Sequence, residues 1–226
     1  MERFVVLLIG PPGAGKGAFA QRFVKYMEEA GHGCTHLSTG DVLRRREFGD
    51  HPRADEMIRL LERGEFVSDE LMYEILEQRL NQPDIQPLCL LDGFPRTVAQ
   101  AQWVFDHLRV KAVAHLDVPF DVAMRRVSGR RIHPASGRTY NIYDPRFKPR
   151  VDGHDDQTGE PPMMRPEDDP SRVGRRLELY QAQTAPILRA LEDGSILAAQ
   201  RTPCIRLVSG QDLDSMVQNT ARFIGA

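Results

Sequence analysis

Between Gly10 and Phe19 the chain reads GPPGAGKGAF, directly after the apolar run FVVLLI from Phe4 to Ile9. A helical pattern follows, so the local order is buried strand, glycine-rich turn and helix. The free backbone N–H groups of such a turn and the positive end of the helix dipole both attract anions. Lys16 adds a positive charge where the β- and γ-phosphates of a nucleotide would lie. The stretch therefore predicts a loop that binds a nucleotide polyphosphate.

Continuous apolar runs recur along the chain, at 4–9, 34–37, 88–91, 112–118 and 205–208. Runs without alternation are typical of strands buried on both faces of a parallel sheet. Helical patterns separate them, at 17–30, 41–46, 53–63, 69–81, 98–108, 120–128, 172–192 and 213–223. The sequence therefore predicts an α/β fold, a P-loop NTPase-type parallel five-stranded sheet flanked by helices. Ligands bind beyond the carboxyl ends of such strands, where Gly10, Ser38 and Asp92 fall.

The composition is that of an ordinary globular protein, with 226 residues and a net charge of −2. This charge argues against nucleic acid or a membrane as a partner. Arginine outnumbers lysine by 26 to 4, which suits phosphate binding and is equally explained by a GC-rich genome. Three scattered cysteines without a CxxC pair indicate reduced thiols. No secretory signal pattern is evident, and we expect a protein of the cytoplasm or of another non-secretory compartment.

The stretch from 131 to 169 is rich in Pro, Gly, Asp and Arg and carries only short apolar pieces. A segment of this kind inside a globular chain is either a functional lid or a disordered loop. Paired turn signals at 134–137 and 156–159 favour a small β lid.

Five segments together resemble the nucleoside monophosphate kinases, and among them the adenylate kinases. They are GPPGAGKGA at 10–18, LSTGDVLR at 37–44, GEFV at 64–67, LDGFPR at 91–96 and GRRIH at 129–133. The resemblance covers nearly the full length and implies transfer of a phosphoryl group from MgATP to AMP. It also implies three parts: a core of 1–37, 68–129 and 170–226, an AMP-binding helical lobe of 38–67 inserted into it, and a lid of 130–169. Because two lobes must move, we expect a monomer.

The same resemblance implies two nucleotide sites. The ATP site would comprise Gly13, Ala14, Gly15, Lys16, Gly17, Ala18, Arg126, Arg130, Thr139, Tyr140 and Gln211. The AMP site would comprise Thr39, Arg44, Glu65, Phe66, Val67, Gly93, Phe94, Pro95, Arg96, Gln100, Arg165 and Arg176. The catalytic set would be Lys16, Arg96, Arg130, Arg165 and Arg176.

Alternative interpretations exist for some of these residues. Thr39 has the position of an N-cap for the helix predicted at 41–46, and can serve both purposes. Arg165 and Arg176 could instead pair on the surface with nearby acids such as Glu167 and Asp168.

The sequence suggests residues for two kinds of metal site, one for magnesium and one for zinc. Asp92 ends an apolar run, as a Walker B acid does, and with Asp41 could orient waters on Mg²⁺. In some family members, cysteines in the lid bind zinc, whereas this chain has His133, Ser136, Asp155 and Thr158 at such places (the first two and the last two each three residues apart). Serine and threonine are poor zinc ligands. We therefore expect a hydrogen-bonded clasp and no structural zinc.

The chain departs from the family pattern at two places. Ala18 replaces the usual threonine, which could cost roughly 1.5–3 kcal/mol if a phosphate oxygen is left unpaired. The lid turn at 143–149 is slightly longer than usual, with Phe147 as a candidate contact to the donor base.

Three alternative functions remain. A GTP:AMP phosphotransferase of the same fold fits phrases such as HPASGR at 133–138. A UMP/CMP kinase is disfavoured because those relatives have a short lid. A catalytically weakened regulatory module would have no need of Arg96, Arg130, Arg165 and Arg176.

Overall fold

The computed structural model describes residues 3–48, 51–196, 202–208 and 210–225. The ranges expected for the core and the AMP-binding lobe also include 1–2, 49–50, 197–201, 209 and 226, which lie outside the described residues. No helix in the described part of the chain combines the length and apolar character needed to cross a bilayer.

Five parallel strands form one sheet. They are β1 (Phe4–Ile9), β2 (Cys34–Ser38), β3 (Leu88–Asp92), β4 (Arg109–Asp117) and β7 (Cys204–Val208), and their spatial order is β2-β3-β1-β4-β7. The predicted P-loop type α/β fold with a five-stranded parallel sheet is confirmed. Strand β4 begins three residues before its apolar run, because Arg109 and Val110 still pair with Phe4 and Val5.

Helices cover both faces of the sheet. The bounds are α1 (Lys16–Glu29), α2 (Thr39–Arg44), α3 (Ala54–Arg63), α4 (Asp69–Leu80), α5 (Val98–His107), α6 (Phe120–Gly129), α7 (Pro170–Leu179), α8 (Ala185–Glu192) and α9 (Leu213–Ile224). In β1, Val5, Leu7 and Ile9 belong to one apolar cluster and Val6 and Leu8 to the other. This two-sided burial explains why the strand is apolar at every position.

The helix predicted at 41–46 begins earlier than expected. Helix α2 starts at Thr39, and Ser38 is its N-cap, with the Ser38 hydroxyl accepting from the Asp41 N–H at 3.3 Å. The expectation that Thr39 caps the helix is therefore wrong. The Thr39 hydroxyl donates instead to the carbonyl of Asp92, at 3.3 Å, which ties α2 to the end of β3.

The region predicted as a single helix at 172–192 is not one regular α-helix in the structure. Between α7 and α8 lies one π-helical stretch, Tyr180–Thr184, and Pro186 stands in the first turn of α8. Proline has no N–H to donate to the preceding turn, so an ordinary helix would lose a hydrogen bond here. A widened turn accommodates this loss.

Residues 130–169, called the hairpin segment below, contain two short antiparallel strands, β5 (Arg130–Ile132) and β6 (Thr139–Asn141). His133 hydrogen-bonds to Ser136 at 2.7 Å through Nδ1 and to Thr158 at 3.2 Å through Nε2. The Thr158 hydroxyl donates to Asp155 at 3.1 Å. These four side chains form one hydrogen-bonded clasp that joins the two turns of the segment.

Candidate active site

A cavity of about 760 Å³ opens at the carboxyl ends of the strands. A smaller pocket adjoins it between α2, α4 and the loop after β3. The sequence-predicted residues that line only the smaller pocket are Thr39, Val67, Phe94 and Gln100, and those that line both are Glu65, Phe66, Gly93 and Arg96. The others line the large cavity: Gly13, Ala14, Gly15, Lys16, Gly17, Ala18, Asp41, Arg44, Asp92, Pro95, Arg126, Arg130, Thr139, Tyr140, Arg165, Arg176 and Gln211. The structure thus brings all of them to one cleft.

The glycine-rich loop turns sharply before α1. Gly13 has a φ of 81°, and a Cβ there would lie 2.4 Å from the Ala123 carbonyl oxygen. Gly15 is the N-cap of α1 with a φ of 92° and has no side chain to cap the first turn. The N–H groups of that turn therefore remain available to an anion.

Lys16 lies at the bottom of this loop. Its ammonium group donates to the carbonyl oxygens of Gly10, at 2.9 Å, and Pro11, at 3.1 Å. Burial, assisted by nearby arginines, lowers the pKa of Lys16 to about 8. A bound polyphosphate would favour the charged form and raise this pKa again.

Four of the cleft arginines are paired with carboxylates. Asp168 accepts from Arg130 at 2.6 and 2.7 Å and from Arg176 at 2.6 Å. Arg44 donates to Glu167 at 2.8 Å and to Asp41 at 2.5 Å. The Arg165 guanidinium lies 3.4 Å from Asp41.

The alternative of ion pairs with nearby acids is correct for Arg176, which pairs with Asp168, but the pair is buried rather than at the surface, and Arg165 lies beside Asp41 instead. Glu167 is 1% exposed and Asp168 is fully buried, so the acids after Arg165 point inward to the cleft arginines rather than into solvent. The 3-10 turn Pro166–Asp168 directs both carboxylates inward, ahead of α7. The burial of these acids could not be predicted from the sequence, because a run of charged residues reads the same whether the acids are buried or exposed to solvent.

The arginines of the cleft keep their positive charge although they are largely buried. Burial lowers the pKa of Arg96 and of Arg165 to about 10, and neighbouring arginines contribute in the same direction. The pKa of Arg176 is also lowered by burial. For Arg130 the burial effect is outweighed by Asp168, which raises the pKa. All four guanidinium groups are therefore charged at neutral pH.

Arg96 is held by the loop that follows β3. Its Nε donates to the Gly93 carbonyl at 2.7 Å, and its backbone N–H donates to the Gln100 side chain at 2.7 Å. The carbonyl of Arg96 accepts from the Thr184 hydroxyl at 2.9 Å. The π-helical stretch thus fixes the backbone that carries Arg96.

Asp92 lies beside Lys16 and receives a contact that the sequence did not indicate. His36 Nε2 is 3.4 Å from Asp92 Oδ2. Burial alone would raise the pKa of Asp92, but His36 and Lys16 lower it overall. Only the alignment of β2 beside β3 could have revealed this pair, and strand order is not visible in the sequence.

Carboxylate oxygens are the donors that Mg²⁺ prefers, so the ionised Asp92 fits a magnesium ion carried by a nucleotide. The pKa of Asp41 is lowered as well, since Arg44 and Arg165 outweigh the effect of burial. Because Asp41 already binds two arginines, Asp92 is the better placed of the two acids.

The far wall of the cavity comes from the hairpin segment and the loop after β7. Phe147 stands in the 3-10 turn Pro145–Phe147, and the Arg146 guanidinium lies 5.7 Å from the centre of its ring. Tyr140 also lines the cavity, and its hydroxyl donates to Asp155 at 2.9 Å. Gln211 accepts from the Val208 N–H at 3.1 Å through its side chain.

A P-loop at the carboxyl edge of a parallel sheet, facing a cleft of converging arginines, defines a nucleotide-binding phosphotransferase. Residues 8–195 match the family model of adenylate kinase, which is well over half of the chain. The chain therefore belongs to the adenylate kinase family, and it is a nucleoside monophosphate kinase.

Proposed function

We propose that this protein transfers the γ-phosphoryl group of MgATP to AMP and yields two molecules of ADP. The observation that carries the proposal is the convergence of Lys16 and the arginines Arg44, Arg96, Arg130, Arg165 and Arg176 on one cleft. Two polyanions repel each other, so a site for both needs a high density of fixed positive charge. A site for one nucleotide would not require so many cations.

The proposed reaction asks for little acid–base chemistry. The phosphate of AMP is already anionic and attacks without losing a proton, so the protein needs to align the reactants and stabilise the charge on the transferred group. Lys16 and the loop amides would hold the donor phosphates. Arg96 and Arg44 would hold the phosphate of AMP, with Arg130, Arg165 and Arg176 between the nucleotides. Magnesium bound to the donor would neutralise charge on its β- and γ-phosphates.

Asp168 and Glu167 are part of this arrangement. They pair with arginines before any phosphate is bound, and so they hold the guanidinium groups in place against mutual repulsion. A preorganised charge costs no rearrangement when the reaction occurs.

We further propose that residues 38–67 and 130–169 move as two lobes on a core of 1–37, 68–129 and 170–226. The Arg44–Glu167 pair crosses from α2 to the turn before α7, and Arg172 donates to the Glu62 carbonyl at 2.6 Å. Closure of both lobes would exclude water and so suppress hydrolysis of the donor. We propose a monomer, since each lobe needs room to move. We also propose that the protein is cytoplasmic.

A product assay with the purified protein tests the reaction. ATP or GTP serves as donor and AMP, UMP or CMP as acceptor, and chromatography separates the nucleoside diphosphates. The expected result is the fastest formation of ADP from ATP and AMP with Mg²⁺ present. Faster transfer from GTP would identify a GTP:AMP phosphotransferase instead, and a preference for UMP or CMP would change the acceptor. Tight binding without any product would identify a regulatory module.

Replacing Arg96 with Ala tests the role of the cleft. Turnover should fall by a factor of about 10² to 10³, because one preorganised group that stabilises charge contributes on this scale. Arg206→Ala is the matched control, since Arg206 is 72% exposed, pairs with Asp117 at the surface and does not line the cavity. Near-normal turnover of Arg96→Ala would refute the role assigned to this residue.

A further inference from the structure

The aromatic ring of Phe66 contacts the guanidinium group of Arg96. Arg96 Cζ lies over the ring, 5.0 Å from its centre. Phe66 stands between α3 and α4, is partly buried, and lines both the large cavity and the smaller pocket. The resemblance implied only a backbone contact to adenine at this position, so the side chain is left without an assigned role.

This contact distinguishes Arg96 from the four cleft arginines that pair with carboxylates. Arg44, Arg130, Arg165 and Arg176 each pair with a carboxylate. Within the part of the chain that the structure describes, no carboxylate forms an ion pair with Arg96, and its side chain donates to the Gly93 carbonyl through Nε. The ring of Phe66 is therefore the partner that faces the charge.

A ring and a carboxylate stabilise a guanidinium group in different ways. A carboxylate accepts the N–H groups at the edge of the guanidinium plane, and these are the groups that a phosphate needs. An aromatic face attracts the positive charge through its quadrupole and forms no ordinary hydrogen bond with those N–H groups. Arg96 can thus be charged and fixed while its terminal N–H groups stay free for an incoming phosphate.

We propose that Phe66 is a positioning residue of phosphoryl transfer, whose ring holds the Arg96 guanidinium for the phosphate of the acceptor nucleotide. This inference rests on the proposed function, because it assumes that Arg96 binds the acceptor. It deepens that function by naming a residue that acts through Arg96 without touching the reacting atoms.

The test reduces the negative electrostatic potential of the ring face with little change in the size of the side chain. Phe66 is replaced site-specifically by 4-fluoro-, 3,5-difluoro- and 3,4,5-trifluorophenylalanine, alongside Phe66→Leu and Phe66→Tyr. The dissociation constant of AMP is measured by calorimetry with no donor present, and kcat and KM are measured separately. In the free protein, the ring current of Phe66 should also displace the NMR signal of the Arg96 Nε–H group.

The expected result is a stepwise loss of AMP affinity with each added fluorine, reaching about five- to thirtyfold for the trifluoro variant and Phe66→Leu. Phe66→Tyr should stay near wild type, because it keeps the ring. Phe4 provides a matched control, since Lys111 Nζ lies over its ring, 4.7 Å from the centre. Phe4 begins β1, at the end of the strand that is remote from the cleft. Trifluorination at Phe4 should leave AMP affinity unchanged.

Three outcomes would overturn the inference. One is an AMP affinity that stays flat across the fluorinated series, even if Phe66→Leu is inactive, because packing alone would then explain the leucine variant. Another is an Arg96 Nε–H signal that is the same in wild type and Phe66→Leu. The third is a wild-type protein that binds no AMP, and this result would overturn the proposed reaction as well. If the wild-type protein is active and AMP affinity is the same in all the fluorinated variants, only this inference is overturned.

Discussion

Replacing Asp168 with Asn would remove the carboxylate that pairs with two cleft arginines. One Asp168 oxygen accepts from Arg176 and Arg130, and the other accepts a second bond from Arg130. An amide keeps the shape but offers one oxygen, and its NH₂ group would face a guanidinium N–H. Two buried cations would then lack their counter-charge.

The expected loss is about 3–5 kcal/mol in the free energy of unfolding, the cost of breaking a buried ion pair from one side. For a chain of this length, that corresponds to a fall of about 6–20 °C in the melting temperature. Guanidinium chloride denaturation at pH 7 measures the free energy, and calorimetry measures the melting temperature. Asp169→Asn is the matched control: Asp169 is the N-cap of α7, and Asn caps a helix as well as Asp does.

The pH dependence provides a second check. Burial alone would raise the pKa of Asp168, but Arg130 and Arg176 lower it below the ordinary value of a carboxyl. A carboxyl of this kind stabilises the fold above its unfolded pKa of about 3.9, and the stabilisation is lost as the pH falls. The difference in free energy of unfolding between Asp168→Asn and wild type should therefore have its full size at pH 7 and shrink below about pH 4. A loss under about 1 kcal/mol at pH 7 would refute the reasoning.

Three further predictions concern the phosphate-binding loop. Because burial lowers the pKa of Lys16 to about 8, kcat/KM for the donor should fall as the pH rises through 8, and a flat profile up to pH 9.5 would contradict this. Ala18→Thr should leave turnover unchanged or raise it by up to about tenfold, since it adds a hydroxyl beside the donor phosphates, and a sharp loss would count against that position. Gly17→Ala should raise the free energy of unfolding by about 0.5–1 kcal/mol, because the residue is helical and its Cβ would have nothing within 4 Å. The same methyl group would enter the cavity, so nucleotide affinity should fall, and calorimetry that finds unchanged affinity would show that phosphates do not approach Gly17.

The strands and the phosphate loop were predictable because their patterns are local. Each apolar run coincides with a strand to within a few residues, and the turn from Gly10 to Lys16 has the glycines that its backbone requires. The order of the strands was not predictable, since it depends on which helices cover which face. The contact between His36 and Asp92 follows from that order alone.

The arginines illustrate the limit of local reasoning. Arg44, Arg45 and Arg46 are adjacent and chemically identical, and only the motif register distinguishes Arg44. In the structure Arg44 turns into the cleft, whereas Arg46 has a φ of 53° and pairs with Asp55 at the surface. The direction of each side chain is set by the end of α2, which no composition or spacing could reveal.

The π-helical stretch Tyr180–Thr184 joins α7 to α8 and fixes the rotation of one helix relative to the other about their common axis. Each residue along an α-helix rotates the next side chain by about 100°. Removing one residue from this turn would restore regular winding and swing Thr184 away from the Arg96 carbonyl, although the two lie 88 positions apart in the chain. The number of residues in this helix, and not only their chemistry, is therefore under constraint from the cleft.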